Sequence, residues 1–227
     1  MRGSRTLAFT AAAAAFLWVC APAGAQQGSK STQGSKAAEA PAAAPGSAYA
    51  QRFAQLCAAC HGANGRSEMP NTPALSGQHS FYAITQLFLF REGRRANEAM
   101  SAVAKGMKDD DMRGFSDFIA TLPPVPPPPP ATPPDSARMA RGKALAQEHK
   151  CVFCHGADFS GGQQVPRIGG QREDYLKLTL HEFKSAKRVG YTMAMAEAVG
   201  RIPGEDLDTL AYYLARFPVA SGTTPTK

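Results

Sequence analysis

Past its first 25 residues the chain has no apolar run near the ~18–20 residues that a bilayer-spanning helix needs, no long basic run, and few cysteines. The first absence predicts a soluble body. The second argues against a nucleic-acid partner, because phosphate-binding surfaces gather lysine and arginine along one face or element. The formal charge of +7, from 25 basic and 18 acidic residues, is spread along the chain, and its sign says little about what docks. Hydrophobic residues, at 44% of the 227, suffice for real cores in one large domain or two small ones.

The few cysteines form a pattern. Cys57-Ala58-Ala59-Cys60-His61 returns as Cys151-Val152-Phe153-Cys154-His155. Two thiols three residues apart lie on one helical turn and reach the vinyl groups of one porphyrin edge, while the next residue's imidazole lies under the iron. This is the attachment pattern of c-type haem. Two such sites predict two covalently bound haems c, held by Cys57 with Cys60 and by Cys151 with Cys154, with His61 and His155 as proximal ligands. Disulfides and a zinc site built from paired C-x-x-C elements are the rival readings. Neither accounts for a histidine at the same offset in both copies, and zinc ribbons space their pairs by ~15–20 residues, not by a whole domain.

Arg2 and Arg5 precede the apolar run from Leu7 to Val19, and Ala23-Gly24-Ala25 offers small residues for cleavage before Gln26. That predicts a secretory signal peptide over 1–25. Cys20 lies in a faint lipoprotein-like box, but Val19 is too large for the small residue that box requires, so lipid anchoring at Cys20 is not expected. Loss of Arg2 and Arg5 with the signal leaves a charge of about +5, and two ferric haems with their propionates bring it to about +3.

Residues 26–46 hold almost no large apolar side chain and read as a disordered leader. A first domain, 47–122, opens with Tyr49, Phe53 and Leu56 at near-helical spacing. After His61, a loop marked by glycine and proline leads to an amphipathic helix announced by Phe81, Ile84, Leu87, Phe88 and Leu89. A helical piece holding Met100, Val103 and Met107 follows. The last helix starts on Asp109-Asp110-Asp111, acids suited to a helix N-terminus, and runs to Leu122. Residues 123–134 are a polyproline II linker able to span ~37 Å at ~3.1 Å per residue. A second domain, 135–217, and a tail, 218–227, complete the chain.

Sliding the chain on itself by about 94 residues lays Leu75-Ser76-Gly77-Gln78 on Ile168-Gly169-Gly170-Gln171, Tyr82 on Tyr175, Phe90 on Phe183, Met100 on Met195, and Phe118-Ile119 on Tyr213-Leu214. The domain is duplicated. Copies of only ~80 residues gain from haem a large apolar centre that side chains alone supply with difficulty.

The sixth iron ligand decides between electron transfer and substrate chemistry. Methionine, a soft thioether, favours ferrous iron, and Met/His is the electron-transfer pairing. Met100 and Met195 follow their histidines at nearly the same distance and recur in register, so they are the predicted axial ligands. Met107 falls on Ile202, as a core position does, and Met193 falls on Glu98; these are the next candidates. His79, His149 and His181 do not recur and read as surface or satisfied residues. Pro73 and Pro166 sit where a backbone carbonyl can orient the ligand histidine's second nitrogen.

Two C-x-x-C-H domains, each with a Pro…(Leu/Ile)-x-Gly-Gln loop, a Tyr-containing helix, a downstream Met and a final Asp-rich helix, resemble the dihaem cytochrome c4 family over residues 47–217. The resemblance implies an all-α fold of two tandem class I cytochrome c domains joined by the proline-rich linker. It implies a periplasmic electron carrier whose partners are redox proteins: a membrane oxidase, a cytochrome complex or a dehydrogenase, approached at the membrane periphery where they reside there. A dihaem peroxidase or sulfur-compound dehydrogenase is the enzymatic alternative, and a cytochrome subunit of a larger oxidoreductase is a third reading. Enzymes of the first kind need an open iron or a cysteine ligand, yet all four motif cysteines are used in attachment and both halves keep a methionine. Ala58-Ala59 covers its haem thinly, whereas Val152-Phe153 can pack apolar bulk beside the second, which predicts unequal potentials with the second higher.

Overall fold

Helix α1, Pro45–Leu56, starts on a proline, whose fixed φ and missing N–H are tolerated in a first helical turn. It buries Phe53 and packs on α5, Asp109–Thr121, with Tyr49 edge-on to Phe115 and Phe53 tilted against Phe118 (ring centroids 5.2 and 5.1 Å). The helices approach closely because α5 carries Gly114, where a Cβ would strike the Tyr49 ring. As predicted, α5 opens on its three aspartates. Asp111 accepts the Lys108 N–H at 3.1 Å and the Arg52 guanidinium at 2.6 Å, tying the first turn of α5 to α1. Between them lie α2, Ala58–His61, α3, Ser80–Arg91, and α4, Glu98–Ala104. Helix α3 packs on α4 and α5 around a core of Phe53, Leu87, Met107, Met112, Phe115 and Ile119.

The second half repeats this with α6, Ser136–Glu148, α7, Cys151–His155, α8, Glu173–Lys184, α9, Ala194–Gly200, and α10, Gly204–Ala215. Helix α10 packs on α6 and α8, and α8 on α9. Here the glycine of the helix crossing is on the other partner: Gly142 of α6 receives Tyr213 of α10. Phe159, 1% exposed, meets Tyr213 and Phe217 edge-on at 6.0 and 4.8 Å, within a core that includes Leu145, Leu176, Ile202, Leu207 and Leu210.

The computed structural model describes residues 45–126, 132–188 and 193–219, all within one compact unit. Among them the only β feature is a single bridge between Gly162 and Val165, so the fold is all-α. Three local expectations change. The first helix starts at Pro45, two residues inside the expected leader. Met107 lies in the turn after α4, which ends at Ala104 before Gly106. Helix α3 carries large apolar residues on its outer side too, with Phe81 and Phe88 exposed while Ala83, Leu87, Leu89 and Phe90 are buried. The predicted signal peptide, Cys20, the leader up to residue 44, the middle of the linker and the end of the tail lie outside the described residues. The chain is held on both sides of the linker's undescribed middle: the Val125 N–H donates to Ser76 Oγ (3.4 Å), and the N–H of Asp135, the first residue after the linker, to Tyr212 OH (2.8 Å). No described helix is long and apolar enough to cross a membrane.

Candidate functional site

Each C-x-x-C-H motif continues from, or closely follows, the first helix of its half. The Cys57 N–H donates to Phe53 O (2.8 Å) and the His61 N–H to Cys57 O (2.9 Å), so both thiols and the imidazole occupy about one turn. Cys57 and Cys151 are half-buried, Cys60 and Cys154 exposed, and all four are unpaired thiols. Burial pushes the Cys57 thiol up to about 11 and raises Cys151 as well. Among the described residues no three His, Cys, Asp or Glu side chains converge on a metal position.

His61 and His155 are buried, and their Nδ1–H groups donate to Pro73 O and Pro166 O, each at 2.9 Å. A carbonyl only accepts, so Nδ1 carries the proton and the neutral ring keeps its lone pair at Nε2. Burial lowers both imidazole pKa values, favouring that neutral form; at His61 Arg95 acts in the same direction. A ring fixed through one nitrogen with the other available is the arrangement of metal-bound histidine. Gly62 and Gly156, at φ 78° and 79°, turn the chain directly after the two histidines, and a Cβ on Gly62 would strike Arg66 O. Thiols and imidazoles together fit two covalent haems.

Met100 and Met195 occupy α4 and α9 in register. The Met100 N–H donates to Asn97 Oδ1 at 2.9 Å, a side-chain cap that fixes the start of α4. Both methionines are partly buried, each packed against its own half's core. Met107 and its counterpart Ile202 are core residues, 8% and 1% exposed, while Met193 is 72% exposed. The remaining histidines have partners elsewhere: His79 Nε2 bonds Ser160 O (2.8 Å), His181 Nε2 meets Asp208 Oδ1 (2.9 Å), and His149 lies beside Glu148.

The contact between the halves uses residues that sequence reasoning noted only as loop and helix signature. Gln78 and Gln171, both buried, reach across to backbone groups of the opposite half. The Tyr175 hydroxyl lies between Arg95 (2.9 Å) and Arg188 (3.4 Å). Burial alone would raise its pKa, but the two guanidiniums outweigh burial and bring it down. The repeat alignment was the available signal: Gln78 falls on Gln171 and Tyr82 on Tyr175. What it omitted was that these residues face the other copy.

The Cytochrome c family model matches twice, over residues 43–123 and 139–217. A cytochrome c4 of Thiocapsa roseopersicina is 32% identical over 170 residues, covering 70% of this chain and 85% of that protein. A thiosulfate dehydrogenase electron acceptor of Thiomonas intermedia is 31% identical over 196 residues, covering 82% and 88%. The fold matches the crystal structure of reduced cytochrome c4 from Pseudomonas stutzeri with a TM-score of 0.68, over 76% of this chain and 98% of that one, at 24% identity. With both haem motifs intact in two copies of the fold, this chain belongs to the dihaem cytochromes c of the cytochrome c4 family.

Proposed function

We propose that this chain carries electrons in the periplasm between redox protein partners, with His61 and Met100 as the axial pair of the first haem and His155 and Met195 as that of the second. The observation that carries the assignment is the in-register pairing of a carbonyl-anchored histidine with a partly buried methionine on the fourth helix of each half. When bound, haem supplies a one-electron Fe(III)/Fe(II) couple. The chain's own residues attach and orient it. The thiols of each motif would attach the haem, Pro73 and Pro166 hold the imidazoles in one tautomer, and Met100 and Met195 would each supply a thioether ligand to the iron. With that thioether in place no iron would be open to substrate, so the chain acts as an electron-transfer protein. A predicted signal peptide at 1–25 supports the periplasmic assignment.

A second reading is favoured by one comparison: a relative 31% identical is named as the electron acceptor of thiosulfate dehydrogenase. On that reading the donor is a dehydrogenase of a reduced sulfur compound, and this chain takes its electrons without touching thiosulfate.

The test combines mass, spectra and mixing. Intact mass should exceed the mature polypeptide by two haems, and Cys57→Ala with Cys60→Ala should leave one. Absorption under carbon monoxide should not change in the wild type. Reduced donor should fill both haems with no consumption of peroxide, thiosulfate or nitrite. Turnover of any of these by the isolated protein, abolished with either methionine, would replace the carrier with an enzyme.

A further inference from the structure

The peptide group joining Pro73 to Ala74 is engaged at both polar ends. Its carbonyl accepts His61 Nδ1–H at 2.9 Å, and its N–H donates to Gln171 Oε1 at 2.8 Å. The peptide joining Pro166 to Arg167 repeats the arrangement. Its carbonyl accepts His155 Nδ1–H at 2.9 Å, and its N–H donates to Gln78 Oε1 at 3.2 Å. Each glutamine then donates from Nε2 to the carbonyl one peptide further on, Gln171 to Ala74 O (2.9 Å) and Gln78 to Arg167 O (2.8 Å). Both glutamines are 6% exposed.

We propose that Gln171 is a positioning and tuning residue for the first haem and Gln78 for the second, each acting from the opposite half of the chain through a single peptide group. This rests on His61 and His155 being the iron ligands. Peptide resonance links the two ends of the group: an acceptor on its N–H increases negative charge on its oxygen. That oxygen then draws harder on Nδ1–H, the ring becomes electron-richer at Nε2, and ferric iron is favoured. Hydrogen bonds in such chains strengthen one another by roughly 10–30% per bond. The same contacts fix where each proline carbonyl sits, so ring orientation and potential are set together.

The experiment uses the dihaem protein. Redox titration is followed by haem-methyl NMR, with the haems distinguished by proximity to Ala58-Ala59 or to Val152-Phe153. Gln171→Met removes the amide at similar length and unchanged charge. It should shift the ferric/ferrous balance of the first haem about threefold toward ferrous, roughly 28 mV at 59 mV per decade, with the second haem unmoved. Gln78→Met should do the reverse. Gln171→Glu gives the Ala74 N–H a more strongly accepting carboxylate oxygen and should lower the first haem below its wild-type potential. His79→Leu, which removes the bond to Ser160 O across the same contact without touching either peptide, should move neither haem. A shift in the glutamine's own half, equal shifts in both haems, no shift, or the same shift from His79→Leu would overturn the proposal. If a methionine variant does not fold, Gln171→Glu against His79→Leu decides it: a fall confined to the first haem supports the relay, any other pattern removes it. Absence of hyperfine-shifted ring signals from His61 or His155 in the wild type would instead remove the ligand assignment.

Discussion

Adding one methyl group at Gly142 tests whether close helix crossing delivers the second haem motif. Helix α6 meets α10 there, and a Cβ would run into Tyr213 Cβ while lying 3.0 Å from both Thr209 O and Tyr213 Cγ. A backbone oxygen and a β-carbon cannot swing aside, so relief requires the helices to part. Overpacking of this kind costs about 1–3 kcal/mol, and alanine's better helix propensity offsets about 1 kcal/mol of that. The net loss is about 1 kcal/mol, or roughly 4–8 °C in the melting temperature of a domain this size. Gly200→Ala is the matched control: it lies at the end of α9 with no heavy atom within 4 Å of the new methyl, so the change should be neutral or slightly stabilising. Ferric holoprotein should be melted by circular dichroism, with the methionine–iron charge-transfer band followed in parallel. Because α6 ends at Glu148, just before Cys151, the second haem's band should fail first in Gly142→Ala. If Gly142→Ala melts at or above wild type, or Gly200→Ala falls as far, the crossing argument is wrong.

Met100→Ala and Met195→Ala should each remove the charge-transfer band from one haem, admit carbon monoxide and lower that haem's potential, whereas Met107→Leu should keep the band and cost less than about 1.5 kcal/mol; spectra with and without carbon monoxide check this. Burial tends to raise the pKa of Asp174, but Arg172 and the Asn71 N–H outweigh it and hold the carboxyl below its ordinary value. Its contribution is therefore complete above the unfolded-state pKa, about 3.9, and is lost as pH falls through the lower folded value. Asp174→Asn should flatten the acid limb of the stability profile and leave its slope near pH 7 unchanged. Finally, Arg95 adds to burial in disfavouring a positive His61 ring, so Arg95→Met should lower the first haem's potential more than the second's, as resolved by redox titration.

The attachment motifs were legible because covalent chemistry fixes residue types at fixed spacing. Pro73 and Pro166 were legible because a carbonyl partner follows from the needs of a ligand histidine. The glutamines were visible only as repeated letters: their partners lie 89 and 97 residues away, and no local pattern encodes which backbone groups a loop amide meets.

The contact between the halves has the form of a twofold homodimer interface, since residue i of one copy meets j of the other and j meets i: Gln171 holds residue 74, and Gln78 holds residue 167. Such a surface recognises itself, so a tether has mainly to keep the copies at high local concentration. Charge is paired across the repeat as well. Arg95 and Arg188 stand at the same offset as Gln78 and Gln171, one from each half, and both direct a guanidinium nitrogen at the Tyr175 hydroxyl, so the contact gathers equivalent cations from the two copies as it gathers the equivalent glutamines.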